Sequence, residues 1–429
     1  MTITFLGHGY VGLVSATIFA DLGNTVWVIG HTPEKIENLK KGIIPIYEPG
    51  LEEVAKRNIK AKRLLFTLDY DKAIPASEVV FIAVGTPPKD NGEADLSIVF
   101  EVAKKIGQYL DGYTVVATKS TVPVGTNRKI KEIVESVRPR KAKFDIASVP
   151  EFLREGQAIS DTLNPDRVVI GTETKEARSV LVELHKPINS FGVLTTIETA
   201  EMIKYAANAF LATKISFSNA IAYLSEITGA DALHVLEAVG LDKRVGSAFL
   251  SPGAGFGGSC FPKDVKALIA IAKQHNYEFS LLKVVEEVNK QAMQSIVTKA
   301  KKMLGKVEGK TVGILGLSFK PDTDDMREAP SLYIISALQK EGAKIKAYDP
   351  IAMENAKKLT SGVTFLSNSY EAAKDCDLLI VVTEWNEFRQ LDLEKMKSEM
   401  KNPVLLDGRN IYDPKKAKQI GFTYFGVGR

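Results

Sequence analysis

The sequence predicts an α/β protein: two doubly wound parallel-sheet halves joined by a helical central segment that contains one long helix. Three observations carry this reading. First, an apolar strand pattern at Thr2–Leu6 runs into Gly7-His8-Gly9-Tyr10-Val11-Gly12 and a helix, and a second strand pattern follows at Thr25–Ile29. Second, strands and helices alternate up to Arg167–Gly171, with strands at Val79–Val84, Thr114–Ala117 and Asp145–Ser148, as expected for a sheet covered by helices on both faces. Third, the pattern restarts at Thr311–Leu315 and continues through strands at Lys344–Tyr348, Asp377–Val382 and, as the last, Val404–Asp407. The expected domains are residues 1–195, 196–305 and 306–429.

In the first half, G-x-G-x-x-G between a strand and a helix is the fingerprint of a Rossmann-like dinucleotide-binding βαβ unit. Gly7, Gly9 and Gly12 permit the tight turn, and with Tyr10 and Val11 they bring a pyrophosphate to the helix N-terminus. His8 occupies a free position of the motif and is assigned no chemistry. At the end of the second strand, a carboxylate would hydrogen-bond the ribose 2′-hydroxyl and repel a 2′-phosphate. The chain instead has Gly30-His31-Thr32, with Lys35 close by. NAD is the expected cofactor, and NADP stays open because that acid is missing. Gly85 and Thr86 follow the strand Val79–Val84, where ligands gather in open α/β sheets. Beyond Pro150, the four-residue spacing of Glu151 and Glu155 is expected to put both on one face of a helical turn.

The middle segment reads as helix from Thr196 to about Thr228, again over Asp231–Val239, and from Val265 to about Leu304. Lys204 and Asn208 are one turn apart on the first of these. Between helical patterns lies Gly253-Ala254-Gly255-Phe256-Gly257-Gly258-Ser259-Cys260-Phe261-Pro262-Lys263-Asp264. Its glycines suggest a backbone that approaches a ligand closely, without a packing role. Cys260 just ahead of a helix, with Lys263 near, is expected to favour the thiolate. Cys376 opens the apolar run Leu378–Val382 and reads as core.

The second sheet pattern keeps only the first glycine of its turn, Gly316-Leu317-Ser318-Phe319-Lys320-Pro321. It is therefore not expected to hold a dinucleotide in the same way. Lys320, Arg327 and Arg409, at or near strand ends, suit a different phosphate-bearing ligand.

With 45% hydrophobic and 25% charged residues, the 429-residue chain has an ordinary globular composition. A net charge of +4, spread along the chain, predicts neither nucleic acid nor a membrane surface as partner. No apolar run reaches the ~20 residues of a membrane span. The opening strand leaves no signal-peptide pattern, and two cysteines make no disulfide framework, so a cytoplasmic location is expected. No metal site is expected.

A hydride-accepting cofactor together with a nucleophilic thiol points to oxidation at the aldehyde level. A thiohemiacetal can lose hydride to give a thioester, which water hydrolyses, whereas alcohol oxidation needs no thiol. Across its whole length the chain resembles the UDP-glucose/GDP-mannose dehydrogenase family. The motifs that carry the resemblance are the Gly7–Gly12 fingerprint, Lys119-Ser120-Thr121-Val122-Pro123, Pro150-Glu151-Phe152-Leu153-Arg154-Glu155-Gly156, the segment Gly257–Asp264 and Phe319-Lys320-Pro321-Asp322-Thr323. The resemblance implies four-electron oxidation of a sugar C6 hydroxyl to a carboxylate with two dinucleotides per turnover. UDP-glucose is the implied substrate and GDP-mannose the alternative.

The resemblance also implies roles for individual residues. Cys260 is the nucleophile, Lys204 and Asn208 hold developing oxyanion charge, and Asp264, Thr121 and Glu151 belong to the water and proton network. Glu155, Lys263 and Arg327 contact cofactor. Phe152, Leu153, Phe256, Gly257, Phe319, Lys320 and Arg409 contact substrate, together with Glu151, Lys204, Asn208 and Cys260. Arg244 reaches the site of a neighbouring subunit in a homodimer built through the central helices. Gly30 departs from the family, whose members usually carry Asp there. Two rival readings are a two-electron NADP-linked hydroxyacid dehydrogenase, which would need no cysteine, and a nucleotide-sugar sensor on an inactivated scaffold, against which the set Cys260, Lys204 and Asp264 speaks.

Overall fold

The structure is a computed structural model, and it describes residues 1–188 and 190–429. The chain divides into two compact units, Met1–Ala207 with Lys266–Ile271, and Asn208–Val265 with Ala272–Arg429.

The first unit is built on an eight-stranded sheet of order β3-β2-β1-β4-β5-β6-β7-β8. Its strands are β1 (Thr2–Leu6), β2 (Thr25–Ile29), β3 (Leu64–Thr67), β4 (Val79–Ile82), β5 (Tyr113–Thr118), β6 (Lys143–Ser148), β7 (Arg167–Thr172) and β8 (Phe191–Thr195). Pairing is parallel except between β6 and β7, which meet antiparallel over Ala147–Thr172 and Ser148–Gly171. Continuous apolar runs such as Val79-Val80-Phe81-Ile82, buried on both faces, are what a sheet sandwiched between helices requires. One face packs Phe5, Phe19 and Phe81 with Leu13 and Val28. The other packs Leu6, Ile82, Val99, Ile106 and Ile130.

The second unit carries a six-stranded, fully parallel sheet of order β11-β10-β9-β12-β13-β14. Its strands are β9 (Thr311–Leu315), β10 (Lys344–Tyr348), β11 (Val363–Phe365), β12 (Leu378–Val381), β13 (Val404–Asp407) and β14 (Thr423–Phe425). This is the 3-2-1-4-5-6 order of a dinucleotide fold, so the repeat read from the sequence is a repeat of topology. Cys376 is buried here beside β12, and its thiol is bonded to the Ala372 carbonyl.

The helices Ile197–Thr228, Ala232–Leu241, Phe261–Gln274 and Ser280–Leu304 make up the strand-free middle of the chain. Among the described residues, no helix is long and apolar enough to cross a membrane.

Two expectations need correction. Val404–Asp407 is not the last strand, since β14 follows it, and β3, β8 and β11 were likewise not anticipated. All four are sheet edges. With one neighbour each, they are short or half exposed, as at β8 and β14, and give little apolar periodicity to read. In addition, Glu151 and Glu155 do not share a helical turn, because 151–157 is irregular. Its backbone donors go to side chains: Leu153 N–H to Glu151 (2.8 Å), Arg154 N–H to Asp161 (2.8 Å) and Gly156 N–H to Glu48 (2.6 Å).

The third fingerprint glycine is fixed by packing. A Cβ on Gly12 would lie 2.2 Å from the Gly7 carbonyl oxygen. Gly12→Ala is expected to cost roughly 1–3 kcal/mol of stability and to weaken dinucleotide binding, read by denaturant unfolding and by cofactor titration.

Candidate active site

In the first unit, the turn after β1 is shaped to receive a pyrophosphate. Gly9 caps the helix Tyr10–Asp21, whose first turn holds no acidic residue, and a Cβ on Gly9 would meet nothing within 4 Å. The open helix N-terminus and its unpaired N–H groups suit an anion. Tyr10 turns away from this mouth and hydrogen-bonds the Glu48 carboxylate, which also accepts the N–H groups of Gly156 and Ala158. Glu48 thus ties the fingerprint helix to the segment that follows Glu151. That residue was missed in the sequence, where it sits in an unremarkable Tyr-Glu-Pro-Gly turn. Val11 is half buried in the same turn.

At the carboxyl ends of β4 and β5, Thr86 donates its hydroxyl to the Thr121 carbonyl at 3.0 Å, which brings two predicted residues together. Gly85 faces open space, as a cofactor-facing residue would. Glu155 is buried nearby in sequence to Glu48's backbone partners.

Beyond β6, Glu151 is buried and paired with buried Lys204 at 3.1 Å. Phe152 presents its ring to Lys204 (5.3 Å) and to the Arg167 guanidinium (3.9 Å). Glu151, Phe152, Leu153 and Lys204 therefore form one cluster. A second lysine, not picked as a site residue, belongs with it. Lys119 is buried, its pKa pushed down to about 8 chiefly by burial, opposed by the Glu151 charge and reinforced by Lys204.

In the second unit, Cys260 is exposed and stands at the N-cap of the helix Phe261–Gln274, so it is not a buried structural cysteine. The Asp264 N–H donates to its carbonyl at 2.9 Å. The Asp264 side chain is fully buried, takes the Asn208 amide at 2.6 Å on one oxygen and pairs with the Lys263 ammonium through the other. Asn208 and Lys204 stand one turn apart on Ile197–Thr228, as the spacing predicted.

The glycine loop before Cys260 overturns the expectation that its glycines have no packing role. A Cβ on Gly257 would lie 2.2 Å from the Glu328 carbonyl oxygen, and one on Gly258 would lie 2.8 Å from the Phe319 ring. Asn289 brackets Phe256, accepting its N–H at 2.7 Å and donating to its carbonyl at 3.0 Å. The glycines allow backbone to press on backbone, which holds the loop that ends at the thiol. Arg409 joins the same cluster: its guanidinium donates to Val382 (2.7 Å) and Gly255 (3.3 Å) carbonyls and pairs with Glu384 (3.2 Å).

Lys320 lies over the Phe319 ring at 5.9 Å. Arg327 is folded onto Asp325 (2.7 Å) and Arg244 onto Asp242 (2.6 Å), each through a fork of bonds. The Arg244 side chain is 89% exposed.

The second sheet differs from the first in the use of its corresponding acid. Asp349, at the end of β10, is buried and accepts the N–H groups of Leu317 and Ser318 and the Trp385 indole (2.7, 3.2 and 3.1 Å). Backbone donors that cradle a pyrophosphate in the first fold are thus already taken here.

The sequence domains of the UDP-glucose/GDP-mannose dehydrogenase family match in order: its NAD-binding domain over residues 1–189, its central domain over 198–291 and its UDP-binding domain over 313–414. The chain belongs to this family. It is 48% identical to the UDP-glucose 6-dehydrogenase TuaD of Bacillus subtilis, a match over 100% of this chain and 93% of that protein. It is also 48% identical to the UDP-glucose 6-dehydrogenase of Rhizobium meliloti over the full length of both. Among solved structures, a UDP-glucose dehydrogenase from Pyrobaculum islandicum superposes with a TM-score of 0.93 at 39% identity, covering 100% of this chain and 97% of that one. The open fingerprint turn fits NAD, and the closed turn around Asp349 agrees with a family in which the second fold binds UDP instead.

Burial of Lys119 has a measurable consequence. Its folded-state pKa lies below that of an unfolded lysine, so between about 8 and about 10.5 the unfolded chain binds more protons and stability rises with pH. Below that window the buried charge costs roughly 3 kcal/mol. Lys119→Met is therefore expected to raise the melting temperature near pH 7, with the gain shrinking as pH rises through that window. A gain that does not vary with pH would refute the linkage.

Proposed function

We propose that the protein is a UDP-glucose 6-dehydrogenase, an NAD-dependent oxidoreductase that carries the C6 alcohol of UDP-glucose to the carboxylate of UDP-glucuronate. The observation that carries this is an exposed thiol, Cys260, at a helix N-terminus, in a chain whose first fold is built for NAD and which matches UDP-glucose 6-dehydrogenases over its full length. GDP-mannose is the second substrate reading. NADP serves beside NAD, since Gly30 removes the carboxylate that would repel a 2′-phosphate.

NAD, when bound, supplies the hydride acceptor for each of two oxidations. Cys260 is the nucleophile that adds to the C6 aldehyde as a thiohemiacetal; the second oxidation takes this to a thioester, whose hydrolysis frees the thiol and releases the acid. Asn208, held at its amide by Asp264, and Lys204, held at its ammonium by Glu151, donate to the C6 oxygen as it gains charge. Asp264, Glu151 and Thr121 serve the water and its protons. Glu155, Lys263 and Arg327 are assigned to the cofactor. Phe256, Gly257, Phe319, Lys320 and Arg409 are assigned to the nucleotide sugar, Arg409 chiefly by holding the loop, given its bonds to carbonyls.

A homodimer is supported by apolar side chains left exposed on the central helices, among them Phe210, Phe217, Leu224, Ile227 and Leu241. Arg244, exposed and forked onto Asp242 within its own chain, is the residue assigned to a neighbour's site. A thiol that must stay reduced is suited to the cytoplasm.

The test is stoichiometric. Wild type is expected to release two reduced cofactors per UDP-glucose consumed, whereas Cys260→Ser is expected to release no UDP-glucuronate; full conversion by that variant would refute the thiol's role, and one cofactor per sugar in wild type would favour the two-electron reading. Lys204→Ala is expected to lower kcat by on the order of 10²–10³ with a much smaller change in KM. Unchanged turnover would remove Lys204 from oxyanion stabilisation.

A further inference from the structure

One buried carboxylate of the first unit, Glu201, has no part in the chemistry described above. It lies on the helix Ile197–Thr228, one turn before Lys204, and is 2% exposed. One of its oxygens accepts the Asn127 N–H at 2.9 Å and the Asn127 side-chain amide at 2.7 Å. The other accepts the Gly125 N–H at 2.7 Å. These donors open the helix Thr126–Val137, which Gly125 precedes at φ 89° without supplying a side-chain cap. A carboxylate from a second helix thus does the work of an N-cap, where buried N–H groups would otherwise lack partners.

The capped helix begins where the loop after β5 ends, and that loop carries Thr121. The near end of the loop is fixed on the sheet. The N–H groups of Lys119 and Ser120 donate to the Ile82 carbonyl at 2.8 and 3.0 Å, and the Ser120 hydroxyl donates to the Val84 carbonyl at 2.6 Å. The far end is fixed by Glu201, and the Asn127 amide also reaches back to the Thr118 hydroxyl at 2.9 Å. Glu201 and Lys204 are three residues apart and so neighbours on one helix face. The second anchor of the Thr121 loop is therefore borne by the helix turn that presents Lys204. Glu198 pairs with Arg128 at the same junction at 2.6 Å, but both side chains are more than a third exposed, and such a pair holds little.

We propose that Glu201 is a positioning residue: its three hydrogen bonds set the spacing between Thr121 on the loop and Lys204 on the helix, and through that spacing the rate of oxidation. This rests on the reading that Thr121 and Lys204 serve the reacting C6 centre. Displacing such groups by about 1 Å can cost on the order of 10²-fold in rate.

The experiment is steady-state kinetics of the full chain with UDP-glucose and NAD, at a temperature where each variant's melting curve shows it folded. Glu201→Gln sets an amide NH2 against N–H donors. It is expected to lower kcat about tenfold or more, with both KM values within about twofold of wild type. In the Lys204→Ala background the same substitution is expected to lower kcat by less than about twofold further, because the spacing has lost one of its members. Glu198→Gln is expected to stay within about twofold of wild type throughout. Should Glu201→Gln fail to fold, Asn127→Ala removes one of the three bonds and is expected to show the same pattern with a smaller factor. Equal losses with and without Lys204, or an unchanged kcat per folded chain, would leave Glu201 a helix cap alone. A wild type that reduces no NAD on UDP-glucose would instead sink the dehydrogenase reading, and the positioning role with it.

Discussion

A close backbone approach at Gly257, in the second unit, fixes where the thiol can be. At Gly257 the chain runs so near the Glu328 carbonyl that even a methyl group has no room. Beside it Gly258 lies against the Phe319 ring, and Asn289 clamps Phe256 from both sides. The loop is therefore held by packing and by paired hydrogen bonds over several residues before it reaches Cys260. In the nucleophilic role proposed for it, a thiol on such a loop loses little freedom on reaching its working geometry, which is the advantage of preorganisation. Asp264 extends the same constraint into the helix, because its buried carboxylate is satisfied by Asn208 and Lys263.

Each unit solves the burial of charge in its own way. The first pairs Glu151 with Lys204 and leaves Lys119 nearby, so one carboxylate faces two ammonium groups in a dry environment. Removing either member of a buried pair strands the other, which makes such clusters costly to alter. The second unit turns Asp349 inward onto backbone donors and the Trp385 indole, stabilising its turn and closing it to a pyrophosphate. Two sheets of related strand order thus present different chemistry because the polar group at the end of the second strand differs: a glycine with histidines around it in one, a buried aspartate in the other.

That difference also gives the glycine at position 30 its meaning. A missing acid alone would weaken a contact to a ribose hydroxyl. The close packing of Ile36 and His8 over its Cα leaves no room there for a larger residue, an acid included.

The sequence by itself determined the central strands, the fingerprint turn and the long helix, and it supplied the candidate reactive groups. These depend on local periodicity and on motifs whose residues are contiguous, as Gly7–Gly12 and Gly257–Asp264 are. Edge strands escaped it because an edge needs little apolar surface, and the irregular 151–157 segment escaped it because its N–H groups are satisfied by side chains, one as distant as Glu48. Only the tertiary structure decided that the loop glycines serve packing, that Asp349 closes one turn, and that Ile36 and His8 pack over Gly30. Each of these is set by atoms from segments far apart in the chain, and close approach between such segments leaves no periodic trace in either one.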